Sequence, residues 1–372
     1  MIKILVATPL FPPEIGGPAT YAHMLESELE SRGFEVEIVP FAAARRWPRL
    51  IRHIVYYFTL VKKSRSADIV YALDTFSVGV PAMLAARWSR KIFLLRVPGD
   101  YAWEQGQLRF GVQVTLDEFS QNRNKYSIFV RVLSKIQSNV ANKAEKVIVP
   151  SVYMKNIVVG WGVHPANIVP IYSALFPLPV EQGKVEIRKS LGYQGTVFLS
   201  AGRLVPWKGF MTLIEILPEL RKRVKDANLV IIGEGPDGAR LRARAQELGL
   251  SEHVRFVPRQ AKHALGAAIA GSDVFVLNTS YEGLSHQLLE VMALGVPIVT
   301  TNVGGNPELI KDTVTGILVP YDDKEELLSA IERAATHEAF RDNLIRNARL
   351  RVKDFEKEKV IEDLVDLLKT LA

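Results

Sequence analysis

No cysteine occurs among the 372 residues, so disulfide bridges and thiolate metal sites are excluded. No apolar run approaches the roughly 20 residues needed to cross a bilayer. The opening segment MIKILVATPLF has only a short apolar run before FPPEIGG. It lacks the longer apolar core and small-residue cleavage site of a secretory signal, and it reads as a first β-strand. A cytoplasmic location is expected. That strand is followed neither by the G-x-G-x-x-G of dinucleotide binding nor by the G-K-[ST] of a phosphate loop, which disfavours a NAD-dependent oxidoreductase. No histidines show metal-ligand spacing, and the pair Asp322 and Asp323 precedes a helical pattern that it can cap. No metal is expected. Helix-turn-helix, zinc-finger and aromatic RNA-binding patterns are missing as well, so nucleic acid is not an expected partner.

What the chain does contain is enough for two cores. Its length suggests two domains, and 48% hydrophobic with 23% charged residues is an ordinary globular balance. The net charge of +7 is unevenly spread. Residues 1–180 hold 21 Lys+Arg against 13 Asp+Glu, whereas the remainder holds 26 against 27. A basic first half points to an anionic partner. Within it, residues 44–65 (ARRWPRLIRHIVYYFTLVKKSR) carry seven cations, four aromatic residues and no acid. The segment reads either as a sheet-covering helix with solvated ends or as a helix that touches an anionic membrane peripherally on the cytoplasmic face.

Short β-branched runs alternate with helical patterns throughout. IKILVAT, FEVEIVPF, ADIVYAL, KIFLLRV and EKVIVP form a first series of strands, and TVFLSAGR, NLVIIGEG, HVRFVP, VFVLNT, PIVTTN and GILVP a second. The expected fold is α/β, two tandem doubly wound Rossmann-like domains facing a cleft. Prolines 170, 177 and 179 and nearby glycines interrupt the pattern. The domains are therefore placed at 1–175 and 195–354, with a linker over 176–194. Residues 355–372 form a last amphipathic helix that packs on its own domain or crosses back to the first.

The richest segment is TSYEGLSHQLLEVMALGVPIVTTNVGGNPELI, residues 279–310. It reads as strand, turn and helix, with Gly283 in the turn and the helix from Leu284 to Leu294. Backbone N–H groups at that helix start can bind an anion or sugar hydroxyls. Glu282 and Glu290 stand about two helical turns apart, and a carboxylate suits a vicinal diol. In SAGRLVPWKGF, Arg203 and Lys208 suit a diphosphate, whose leaving-group charge fixed cations stabilise. In TPLFPPEIGGPATYAHML, Gly16 and Gly17 precede a helix with Pro18 in its first turn. Gly233 and Gly235 of GEGP form another strand exit.

The segment around Glu282 and Glu290 resembles the E-x7-E signature of retaining glycosyltransferase family 4, in the superfamily of glycosyl transferases group 1 with GT-B architecture. The likeness covers essentially the whole chain and is most specific in the second half. It implies that Glu290 binds the nucleotide ribose, while Glu282, with Gly283, Leu284 and Ser285, holds the transferred sugar. It also implies that Arg203 and Lys208 grip the donor diphosphate, with Gly16 and Gly17 beside the phosphates. Gly233 and Gly235 would belong to the nucleotide side of the cleft, and Arg259 would lie against the base. Many family members place a catalytic histidine in the first domain, where this chain has LLRVPGDYAWE. Asp100 is the nearest polar group there; it either handles the acceptor hydroxyl or caps a turn. His286 and His23 read equally as sugar contacts or as ordinary packed or exposed side chains.

The resemblance implies a hexose-type transfer with retention, independent of metal, from a nucleotide-diphosphate sugar that serves as co-substrate without a further cofactor. The acceptor class stays open among glycans, lipid-linked sugars and small molecules. Two alternatives are a nucleotide-sugar epimerase of the same fold and a non-catalytic sugar-nucleotide-binding protein.

Overall fold

The structure, a computed structural model, describes residues 1–14, 16–48 and 51–371. Arg49 and Leu50 of the basic segment 44–65 lie outside the described residues. The chain forms two compact units, Met1–Ser173 with Glu358–Ala372, and Ala174–Lys357.

The first unit begins with β1 (Ile2–Thr8), α1 (Gly17–Glu30), β2 (Phe34–Pro40) and α2 (Ile51–Ser64). It continues through β3 (Ile69–Ala72), α3 (Gly79–Ser89), β4 (Ile92–Arg96) and α4 (Tyr101–Arg109). Next come α5 (Leu116–Gln121), α6 (Ile128–Asn142), β5 (Lys146–Val149), α7 (Val152–Val159) and β6 (Ile168–Pro170). The six strands are parallel, in the order β2-β1-β3-β4-β5-β6. Leu5, Val6, Ala7 and all four residues of β3 are fully buried, as continuous apolar strands require when helices cover both faces. Right-handed crossovers place α1 on one face of the sheet and α2, α3 and α6 on the other. The three-residue edge strand β6 has too few residues for a sequence pattern and was not among the expected strands.

The second unit opens with α8 (Lys184–Leu191), β7 (Thr196–Ala201), α9 (Phe210–Arg223), β8 (Ala227–Ile232) and α10 (Gly238–Glu247). It continues with β9 (Val254–Val257), α11 (Lys262–Gly271), β10 (Val274–Leu277), α12 (His286–Leu294) and β11 (Ile298–Thr301). The short α13 (Asn306–Leu309), β12 (Ile317–Val319), α14 (Lys324–Thr336) and α15 (Glu338–Arg351) complete it. Its parallel sheet runs β12-β11-β10-β7-β8-β9. Phe198, Ile214, Leu217, Ile231, Val276, Val299 and Ile331 form part of its continuous core. Connections run outward from β7 in one direction and from β10 in the other, so the order reverses between those two neighbours. Ligands of such sheets bind beyond the strand ends at that reversal.

The expected linker over 176–194 is corrected by α8. Ile187 is 1% exposed, and Lys184 and Arg188 pair with Asp273 at 2.9 and 2.8 Å. Gly192, one of the interruptions in the pattern, is the left-handed C-cap of α8. The last helix, α16 (Lys357–Leu371), buries Val360, Ile361, Leu364, Val365 and Leu368, and from Glu358 onward it belongs to the first unit.

Candidate functional site

In the second unit, the loops after β7, β8, β10 and β11 all emerge at the carboxyl edge of the sheet. The β7 and β10 loops flank the reversal, and they are laced together by hydrogen bonds. Thr279 Oγ1 donates to the Trp207 carbonyl at 3.0 Å, and Ser280 N–H to the same carbonyl at 2.8 Å. This brings Lys208 onto Glu282, where Nζ donates to Oε1 in a salt bridge with both side chains about one-sixth exposed. Two residues of separate motifs, 74 positions apart, thus form one ion pair at the strand reversal.

Arg203 lies in the same β7 loop with its side chain exposed. The β7 and β8 loops are joined by Gly202 N–H to Ile232 O and Leu204 N–H to Glu234 O, both at 2.9 Å. Gly233 has φ 151°, and a Cβ there would stand 1.8 Å from the Gly202 carbonyl oxygen. A Cβ on Gly235 would meet the Leu204 oxygen at 2.2 Å. These two glycines therefore have a packing reason to be glycine, which is to let the two loops touch. Arg259 is exposed, two residues past the edge strand β9.

Helix α12 starts two residues later than the sequence pattern suggests. Its N-cap is Ser285, whose hydroxyl accepts from Leu288 N at 3.4 Å, leaving Gly283 and Leu284 in the preceding turn. Ser285 is 3% exposed and its hydroxyl serves as the helix cap. Glu290 stands in the second turn of α12, largely enclosed. Burial pushes its carboxyl up from 4.5 to about 7, against the opposing attraction of Lys262. A carboxyl in this state has strong use for donors such as diol hydroxyls.

Two elements of the site escaped the sequence reading. The first is Gly304 and Gly305, at the far end of the signature segment. Gly305 N–H donates to the Glu282 carbonyl at 2.9 Å, and Gly304, at φ 58°, would place a Cβ 2.2 Å from that same oxygen. The β11 loop thus supports the Glu282 turn from behind. The second is Lys262, at the start of α11, which acts on Glu290 from 28 positions away; no local pattern links the two.

In the first unit, Gly16 is the N-cap of α1 without a side-chain cap, and Pro18 occupies the first turn. A Cβ on Gly17 would meet nothing within 4 Å, so that side of the helix start is open. Asp100 is different from its catalytic assignment. It is fully buried as the N-cap of α4, accepting from Trp103 N at 3.0 Å, Gln137 Nε2 at 2.8 Å and Arg123 Nη2 at 2.6 Å. Every donor is internal, and an aspartate with no exposure cannot reach an acceptor hydroxyl. The cap reading replaces the catalytic one. Among the described residues, no three of His, Asp and Glu gather in metal-binding geometry, and Asp323 caps α14 by accepting from Glu326 N at 3.0 Å.

Residues 184–351 match the family model described as glycosyl transferases group 1. A GDP-mannose-dependent alpha-(1-6)-phosphatidylinositol monomannoside mannosyltransferase of Mycobacterium tuberculosis is 36% identical over 162 residues, 42% of each chain. The D-inositol 3-phosphate glycosyltransferase of Saccharomonospora viridis is 31% identical over 195 residues, 48% of this chain and 44% of that one. The matched region thus spans less than half the length of these curated relatives. The whole chain superposes on the sucrose-phosphate synthase of Thermosynechococcus elongatus with TM-score 0.83 at 19% identity, covering 100% of this chain and 99% of that one. HepE of Anabaena, solved with UDP and glucose, gives 0.79 at 19% identity with both chains fully covered. The fold is GT-B, two Rossmann-like units in tandem.

Proposed function

We propose that the chain, whose residues 184–351 match the model of the glycosyl transferases group 1, transfers a hexose from a nucleotide-diphosphate donor with retention of anomeric configuration. The observation that carries this reading is the Lys208–Glu282 pair at the strand reversal, with Arg203 in the same loop. Lys208 and Arg203 neutralise the donor diphosphate and stabilise the charge that builds on it as the glycosidic C–O bond breaks. Once a phosphate takes up Lys208, Glu282 is released to hold the sugar hydroxyls. Glu290 binds the ribose diol. The acceptor oxygen forms the new bond on the face the nucleotide leaves, and its proton passes to a phosphate oxygen of the departing nucleotide. With two cations supplying the countercharge, the step proceeds without a metal ion.

The mycobacterial relative is named for GDP-mannose and the Anabaena structure holds UDP, so GDP and UDP are the first nucleotides to test. The acceptor is a glycan, a lipid-linked sugar or a small polyol. A thermal-shift screen against UDP, GDP, ADP and their sugars should raise the unfolding midpoint for one base, since a ligand stabilises the state it binds. Nucleotide release from the matching donor should then be stimulated by an acceptor. Binding without turnover would favour a sugar-nucleotide-binding protein, donor interconversion would favour an epimerase, and no midpoint shift at millimolar nucleotide would overturn the donor site.

A further inference from the structure

The first unit carries an apolar, acid-free face that the proposed transfer does not use. Helices α2, α3 and α6 share one side of its sheet, with α3 touching both of the others. Across their 14, 11 and 15 residues there is no aspartate or glutamate. Helix α1, on the opposite side, has three glutamates.

Ile51, Ile54 and Phe58 of α2 are exposed at three- and four-residue spacing, which sets them on one stripe. Helix α3 adds Leu84 and Trp88, and α6 adds Ile128 and Phe129. The largest of these are open to solvent to an unusual degree, Phe58 at 63%, Trp88 at 69% and Phe129 at 64%. Exposed cations stand among them, with Lys62 on α2, Arg87 on α3, and Arg131 and Lys135 on α6. Among the described residues the second unit exposes only Val185 and Leu350 as large hydrophobics, so the patch is a property of one unit and not of the chain's composition. Helices α2 and α3 pack against each other, so their exposed apolar side chains fall on neighbouring elements, and apolar surface gathered in this way marks an interaction site.

Charge selects the occupant. A second copy docked through the same face would set cations against cations with no acid to compensate, because a two-fold interface is self-complementary. An anionic bilayer supplies both halves of what the face presents, hydrocarbon for the aromatic and aliphatic side chains and phosphate for the cations. No helix among the described residues is long and apolar enough to cross a membrane, so contact would be with its surface.

We propose that the face made by α2, α3 and α6 seats the protein on an anionic lipid bilayer. The sequence pattern points to residues 44–65 alone; the fold adds exposed apolar side chains on α3, packed beside α2, and on α6, which touches α3. The proposal does not depend on the donor chemistry, which resides in the second unit.

The test is co-sedimentation of the full chain with vesicles of phosphatidylcholine alone or with about a third phosphatidylglycerol. At low salt the chain should pellet with the anionic vesicles and stay in solution with the neutral ones, and added salt should weaken the binding. Phe58→Glu, Trp88→Glu and Phe129→Glu, one on each helix, should each lower the bound fraction several-fold. All three sites are exposed, so the unfolding midpoint and its shift by nucleotide should stay as in the parent, which separates this outcome from failure of the donor site. Absence of pelleting at low salt, equal binding to neutral vesicles, or binding unchanged by all three substitutions would overturn the proposal. So would a dimer in solution that the same substitutions disperse.

Discussion

Replacing Glu290 by glutamine probes the proposed donor site through a quantity that can be worked out in advance. Burial holds this carboxyl near 7 instead of 4.5, with Lys262 pulling the other way. Between those values the native chain keeps a proton that the unfolded chain has lost. Stability therefore falls as pH rises through this window, and the loss is complete above about pH 7. From 4.5 to about 7, at 1.36 kcal/mol per pH unit, the buried charge costs about 3 kcal/mol at pH 8. Glutamine fills the same space without the charge. Glu290→Gln should match the parent near pH 5 and exceed it by up to about 3 kcal/mol at pH 8, a midpoint rise of about 6–12 °C for a unit of this size. Nucleotide binding should move the opposite way. The ionised carboxylate is the better acceptor for a diol, so the parent's affinity should climb as pH rises to about 7 and then level. The variant should bind about 10–100-fold more weakly at pH 8 and with little pH dependence. Scanning calorimetry and titration calorimetry at pH 5, 6, 7 and 8 read both. Equal midpoints at pH 8, together with a parent affinity that ignores pH, would refute the reasoning.

Other substitutions separate chemistry from architecture. Lys208→Met should lower turnover about 100- to 1,000-fold by removing a cation from the leaving diphosphate. Acceptor-stimulated nucleotide release measures this, and full activity would remove Lys208 from the mechanism. Gly304→Ala places a Cβ 2.2 Å from the Glu282 carbonyl oxygen at a positive φ. It should lower stability by at least about 1 kcal/mol and donor affinity with it, and unchanged values of both would show that the β11 loop does not brace Glu282. Asp100→Asn breaks a buried ion pair with Arg123, so the midpoint should drop by the equivalent of about 3–5 kcal/mol. A stable variant that has lost only turnover would restore the catalytic reading of Asp100.

Most of the sheet was legible because each buried parallel strand is a β-branched run between turn residues. IKILVAT coincides with β1, and NLVIIGEG begins one residue inside β8 and runs three residues past its end. What failed to show was whatever depends on a partner distant in sequence. Gly192 looks like an interruption until Ile187 is seen packed and the glycine caps its helix. Asp100 looks like an acid in a loop until Gln137 and Arg123 close over it, 37 and 23 positions away. Ser285 suits both a sugar contact and an N-cap, and its capping role shows only once the start of α12 is placed. Lys208 and Glu282 lie in separate motifs, and their ion pair is a product of strand order, which periodicity alone does not encode.

The return of α16 to the first unit has a consequence for the order in which the molecule is completed. The second unit is an insertion, contiguous from Ala174 to Lys357, and it can fold as soon as its own residues are available. The first unit is discontinuous and must wait for residues 358–371, which bring it five buried apolar side chains once they are synthesised. During that interval the unit made first is the one left unfinished, while the unit made second is already whole. A shortened chain that ends at Lys357 should therefore retain a folded second unit and lose order at the opposite end of the sequence from the cut.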